Sequence, residues 1–157
     1  MAAANRRVVR EAVVQTVFEC EFRGIAEGWL AIFEKNISEF GVNFEKDFAE
    51  SLLENSFNNF RESKEWVERL APEWPFSKIA KLDAAVLLVG LVELKFLAKQ
   101  FDIPPKVTLN EFVEIAKNYG DDSDRKFVNG VLSSAQKELE FKIGKIYKSN
   151  FPTNLKI

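Results

Sequence analysis

Between positions 84 and 97 the chain is apolar on nearly every side. A helix with that pattern cannot rest on a surface, because an amphipathic surface helix needs one polar face. The pattern therefore predicts a buried central helix over about 82–100, which other elements must cover from several directions. The mostly apolar run at 84–94 is about half the length a membrane span requires. Asp83 stands at the start of this helix, where a carboxylate suits the positive end of the helix dipole.

The rest of the chain carries helical periodicity and no convincing two-residue alternation. A first helix is expected over 5–22, with Val9, Val13, Thr16, Val17 and Cys20 on one stripe and Gly24 as its stop. A second is expected over 26–40, ended by Gly41, and a third over 44–60, marked by Phe44, Phe48, Leu52, Leu53, Phe57 and Phe60. Ser63 reads as the N-cap of a short fourth helix to about 71, after which Pro72 and Pro75 interrupt the backbone. Beyond the central helix, Thr108 and Glu111 have capping-box spacing ahead of a helix closed by Gly120. Ser123 reads as the cap of a last helix to about 140, followed by a weakly ordered tail around Gly144 and Pro152. The expected fold is all-α, with about seven helices in two small bundles that share a core and divide near 72–76. The expected organisation is a domain over 1–141 and a basic tail over 142–157.

Composition narrows the chemistry. The chain of 157 residues has no histidine and a single cysteine. That removes Ser–His and Cys–His catalysis in their usual forms, and it removes the commonest zinc ligands. One thiol allows no internal disulfide, and the first twenty residues have no apolar leader core, so a soluble, cytoplasmic protein is expected. Every acidic residue lies between Glu11 and Glu140, whereas Arg6, Arg7 and Arg10 at one end and Lys142, Lys145, Lys148 and Lys156 at the other have no acid among them. Basic ends on an acidic body suit a local contact with a polyanion, although from charge alone solvated termini are the favoured reading.

Few motifs suggest catalysis. Asp121, Asp122 and Asp124 crowd one loop, but a calcium loop needs oxygen donors at alternating places, and Asp121, Ser123 and Arg125 supply them poorly. Acids at a helix start are the simpler account. Cys20 lies on an apolar stripe and reads as a small buried hydrophobe. Glu111 and Glu114 read as an outer helix face. No glycine pattern for phosphate or dinucleotide binding is present. No catalytic residue, metal or cofactor is expected. The arginines carry more: Arg6, Arg7 and Arg10 share the first helix with Gln15 and Phe18. Guanidinium forks suit phosphate, and an aromatic face suits an unpaired base. Core packing is the equal alternative for Phe18.

The later half contains a specific run. Residues 103–132 read IPPKVTLNEFVEIAKNYGDDSDRKFVNGVL. This resembles the NusB family, whose signature is similar to IPPKVAINEAVELAKKYG followed by KFVNGVL. The sequences at 83–87 and 92–94, Trp74, Gln15 and the start at 6–11 also match in place, so the resemblance spans about 5–140. It implies a non-catalytic RNA-binding transcription antitermination factor. Such a protein pairs with NusE, a small-subunit ribosomal protein, and binds single-stranded boxA RNA in rRNA transcripts. NusA, NusG and RNA polymerase complete the larger assembly.

Carried over residue by residue, the resemblance gives an RNA-binding set of Arg6, Arg7, Arg10, Gln15, Phe18, Lys126, Phe127 and Asn129. Phe18 stands where the family usually has Tyr. Phe127 could equally be core, Asn129 could instead hold the helix start, and Glu93 reads as structural. The partner-binding set is Asp83, Leu88 and Val92. The last two are departures, standing where the family often has Arg and Tyr, and they make the central helix more apolar. Two alternatives remain open: a self-associating helical module, homodimeric when free, whose RNA surface is lost or masked, and the N-terminal domain of an rRNA cytosine methyltransferase. No cofactor-binding domain follows within the chain, which weighs against an autonomous enzyme.

Overall fold

The burial of residues 83–92 organises everything around them. The computed structural model describes the backbone over residues 2–149 and the side chains over 5–142. Among these residues there are seven α-helices and no strand: α1 (Ala2–Arg23), α2 (Trp29–Ser38), α3 (Lys46–Asn58), α4 (Phe60–Leu70), α5 (Lys81–Val92), α6 (Pro105–Tyr119) and α7 (Asp122–Ser149). None is long and apolar enough to cross a membrane. Lys145, Lys148 and Lys156 of the basic tail lie outside the described side chains.

Helix α5 occupies the centre, and every residue from Asp83 to Val92 is buried. Helices α1, α3, α4, α6 and α7 all pack against it. Its Gly90 permits close approach: a Cβ there would meet Leu132 Cδ2 at 3.2 Å and Phe112 Cγ at 3.3 Å. A mid-helix glycine has a conformational cost, here set against contact with α6 and α7. One continuous apolar cluster joins Val9, Val13 and Val17 of α1 to Phe48 and Leu52 of α3, Leu87 and Leu91 of α5, Phe112 of α6 and Leu132 of α7. Trp29 of α2 stacks on Phe57 of α3 at 4.8 Å.

Several boundaries differ from the sequence expectation, each for a local reason. Helix α2 begins at Trp29 because Gly28, at φ 81°, turns the chain just before it. Ser63 does not cap α4; it is buried one turn inside a helix that begins at Phe60. Thr108 does not cap α6, which starts at Pro105, where a missing N–H costs nothing. The cap of α7 is Asp121, not Ser123. Asp121 Oδ1 accepts from the Ser123 and Asp124 amides at 2.9 and 3.1 Å, and Asp124 Oδ2 accepts from the Asp121 amide at 2.8 Å. This is a reciprocal capping box built from two aspartates. Helix α7 also runs past Glu140 to Ser149.

Helix α5 continues as one π-helical turn, Glu93–Leu97. There the Ala98 amide donates to the Glu93 carbonyl at 3.0 Å. Glu93 is wholly buried, and Arg10 of α1 meets it through Nε–Oε1 at 2.6 Å and Nη2–Oε2 at 3.1 Å. Thr108 of α6 donates its hydroxyl to the same carboxylate. One carboxylate thus joins α1, α5 and α6. Removing a single partner of a buried pair strands a charge, typically at about 3–5 kcal/mol. Urea denaturation of Glu93→Ala is expected to show a loss of that order, and Arg10→Met combined with Glu93→Leu is expected to recover most of it.

Candidate functional site

The arginines of α1 point to three different elements. Arg10 is 3% exposed and belongs to the core through Glu93. Arg6 is held by Glu45, just ahead of α3, with Nη2–Oε2 at 2.9 Å. Arg6 Nη1 also donates to the Phe101 carbonyl at 3.3 Å, and the guanidinium lies 4.9 Å from the Phe48 ring centroid. Arg7 is the exposed member at 55%, and Glu111 of α6 takes its fork through Nε–Oε2 at 2.7 Å and Nη2–Oε1 at 3.1 Å. That hydrogen bond, the Glu111 charge, and then Glu114 and Glu11 raise the Arg7 pKa further. The expectation of three open forks for phosphate is therefore corrected. Arg10 is structural, Arg6 is anchored and partly buried, and Arg7 is the most exposed of the three, already paired. The three carboxylates come from distant parts of the chain, which spacing along α1 cannot reveal.

Further along α1, Gln15 Nε2 donates to Tyr119 Oη at 3.0 Å. Tyr119 is exposed at the end of α6 and also bonds Glu11, whose pKa is raised chiefly by burial. Phe18 is partly buried against the core and stacks on Phe22, with centroids 6.1 Å apart. Phe22 is exposed, and Lys81 Nζ sits 4.9 Å from its ring centroid. The open aromatic face is thus that of Phe22 more than Phe18. Sequence reasoning missed both Tyr119 and Phe22, although the four-residue spacing of Phe18 and Phe22 is a legible signal for the latter.

On α7, Lys126 and Asn129 are exposed and Phe127 is half-buried. Asn129 lies two turns inside the helix, so it does not hold the helix start. Phe127 lines a cleft of about 320 Å³ with Trp74, Lys78, Asp83, Ser123 and Asp124. Asp83 is 7% exposed, whereas Trp74 is 54% exposed. Burial, then a hydrogen bond with Asp124, then the charges of Asp124 and Asp121 push the Asp83 carboxyl up to about 7. The same bond, with backbone and side-chain bonds at Asp121, holds Asp124 below the usual range. Leu88 and Val92 are each 1% exposed and lie in the core, so the expectation that they form a docking surface is corrected. Their apolar character is explained by packing.

Helices α1 and α5 run antiparallel, with Arg10 beside Glu93 and Phe22 beside Lys81. Asp83 of α5 and Glu93 of the π-helical turn that follows it stand ten residues apart, about 15 Å at the helical rise. The arginine end of α1 and the Phe127 cleft therefore do not form one pocket. They lie at the two ends of a strip, linked by the α1–α6 seam through Gln15 and Tyr119 and by the turn into α7.

Among the described residues no group of three or more His, Cys, Asp or Glu side chains could hold a metal ion. Cys20 is buried, and its thiol pKa is pushed up by that burial. The scaffold offers an aromatic and polar surface on rigid helices, the construction of a macromolecular binding protein. The chain belongs to the NusB family, whose model matches residues 7–137. It is 34% identical over 129 residues to the transcription antitermination protein NusB of Desulfitobacterium hafniense, covering 82% of this chain and 85% of that one. The NusB of Fervidobacterium nodosum is 35% identical over 135 residues, covering 86% and 92%. Among solved structures, T. maritima NusB superposes with a TM-score of 0.72 at 32% identity, over 85% of this chain and 91% of that one. A crystal structure of the antitermination factors NusB and NusE in complex with dsRNA shares the fold, with a TM-score of 0.74 at 23% identity over 86% and 98%.

The Asp83 carboxyl gives a pH signature. Its folded value lies above the ordinary 3.8. Between that value and about 7 the native state therefore binds a proton that the unfolded chain has released, and stability from this group falls as pH rises. Asp83→Asn keeps a donor toward Asp124 and removes the titration. Its stability relative to the parent is expected to rise between pH 5 and pH 8, read from urea midpoints at each pH. A constant difference across that range would contradict the assignment.

Proposed function

We propose that this protein is an RNA-binding transcription antitermination factor that pairs with NusE and binds boxA-type single-stranded RNA in rRNA transcripts. NusA, NusG and RNA polymerase are the expected company in the larger assembly, and the cytoplasm is its expected location. The observation that carries this reading is family membership across most of the chain, including the KFVNGVL run on α7. The related complex of NusB with NusE and dsRNA supports NusE and RNA as the ligand classes.

In this reading Lys126 neutralises phosphate from an exposed position, and Phe127, Phe18 and Phe22 offer faces to splayed bases. Gln15 and Asn129 are polar contacts, Arg7 engages phosphate by leaving Glu111, and Asp83 stands on the NusE side. Arg6 and Arg10 act only by holding α1 in place. The occupied arginines and acidic body also favour a second reading, a self-associating module with a masked RNA surface.

Fluorescence anisotropy with a labelled boxA oligonucleotide, in single- and double-stranded form and with the same organism's NusE present, tests the proposal. Lys126→Ala is expected to weaken binding and to reduce the logarithmic salt slope by roughly 0.7 for a single strand. Arg7→Ala is expected to weaken binding, and Glu111→Gln to tighten it by freeing the fork. Absence of RNA binding with NusE present, together with a dimer by light scattering, would select the second reading.

A further inference from the structure

Helix α7 carries charge that the Lys126 contact alone does not use. From Arg125 to Lys137 the chain has an arginine, two lysines and no acid, in a body whose acids outnumber its bases. Arg125 is turned to Asp122 at 3.6 Å. Lys126 and Lys137 are exposed and form no ion pair among the described residues. The next acids along the helix are engaged elsewhere. Glu138 is held by Arg69 of α4 at 2.7 Å and by Lys142 at 3.5 Å, and Glu140 accepts from Gln136 at 3.2 Å.

Lys126 and Lys137 stand eleven residues apart on α7. That interval is about three helical turns and about 16 Å of rise, so the two lysines lie on one face. Gly130 lies between them on the same face, one turn from Lys126 and two from Lys137. A mid-helix glycine has a conformational cost. At Gly90 close packing accounts for it, but at Gly130 nothing lies within 4 Å of the place a Cβ would take. Glycine there leaves the helix backbone open to close approach from outside. Asn129 and Ser134 are exposed on either side of it and offer side-chain donors.

We propose that the outer face of α7 from Lys126 to Lys137 is a track for the sugar–phosphate backbone of single-stranded RNA flanking the boxA element. The proposal rests on the RNA-binding reading given above and extends its footprint along α7. The two lysines neutralise phosphates at the ends of the track, and the strand passes over Gly130. Asn129 and Ser134 donate to phosphate or 2′-hydroxyl oxygens between them. Phe127 is the one aromatic residue in the stretch and is half-buried at its start, so the track beyond it holds the backbone without reading bases. An acidic peptide would find no apolar side chain to pack on at the exposed positions Asn129, Gly130 and Ser134.

The test uses the full chain with NusE present. Fluorescence anisotropy over a salt series compares the boxA oligonucleotide with versions lengthened by oligouridine at the 5′ or the 3′ end. Lengthening at one end is expected to tighten binding and to steepen the logarithmic salt slope by roughly 0.7 for each added phosphate contact. Lys137→Ala is expected to return the lengthened RNA to the affinity of the short one and to leave the short one unchanged, while Lys137→Arg keeps the gain. Gly130→Gln is expected to raise the thermal midpoint, because glutamine is the better helix former, and still to remove the gain. Oligocytidine in place of oligouridine is expected to give the same result.

No gain on lengthening, a gain that survives Lys137→Ala, or a loss of stability in Gly130→Gln would each overturn the track. Polyglutamate that abolishes the gain as well as oligouridine does would assign the face to an acidic protein instead. Binding of the short RNA without any gain sinks the track and keeps the RNA reading, whereas absence of binding by every RNA sinks both.

Discussion

A guanidinium and a carboxylate taken out of water together must satisfy each other almost completely, and the Arg10–Glu93 pair is the point at which this fold accepts that requirement. The two forks meet head-on, and Thr108 supplies a further donor to the carboxylate. The three side chains belong to α1, the π-helical turn after α5, and α6. The register of those elements is therefore tied to one directional contact, within a core whose other contacts are mostly apolar and tolerate sliding. Such pairs contribute little net stability compared with an apolar replacement, but they penalise every arrangement that leaves one charge alone.

That constraint shapes the outer surface. With Arg10 turned inward, Arg7 follows on the neighbouring helical position toward α6, and Arg6 turns toward the start of α3. Each guanidinium ends on a carboxylate of a different element, so the basic amino end is electrostatically closed in the free protein. The surface still open consists of Gln15 with Tyr119, Phe22 with Lys81, and Lys126 with Asn129. Any anionic ligand of Arg7 must displace Glu111 from its guanidinium. The acidic and aromatic cleft lies at the far end of α5.

The two ends of α5 thus carry opposite electrostatics for a common reason. At its C-terminal end a buried acid is balanced by a buried base. At its N-terminal end Asp83 is buried beside other acids, and burial with those neighbours pushes its carboxyl up to about 7.

Much of this architecture could be read from the chain alone. The all-round apolarity of 84–97 required a central helix, the three- and four-residue spacing of valines and phenylalanines required amphipathic neighbours, and the absence of histidine removed the usual catalytic and metal chemistry. The run from Ile103 to Leu132 was enough to show the kinship. The tertiary structure decided where the arginines went, that Leu88 and Val92 were core, that Asp121 and not Ser123 capped α7, and that Trp74 and Asp83 faced one cleft. Periodicity is a property of one helix and reports which face is apolar. A salt bridge or a shared proton depends on which residue of another helix stands opposite, and that is set only when the elements pack.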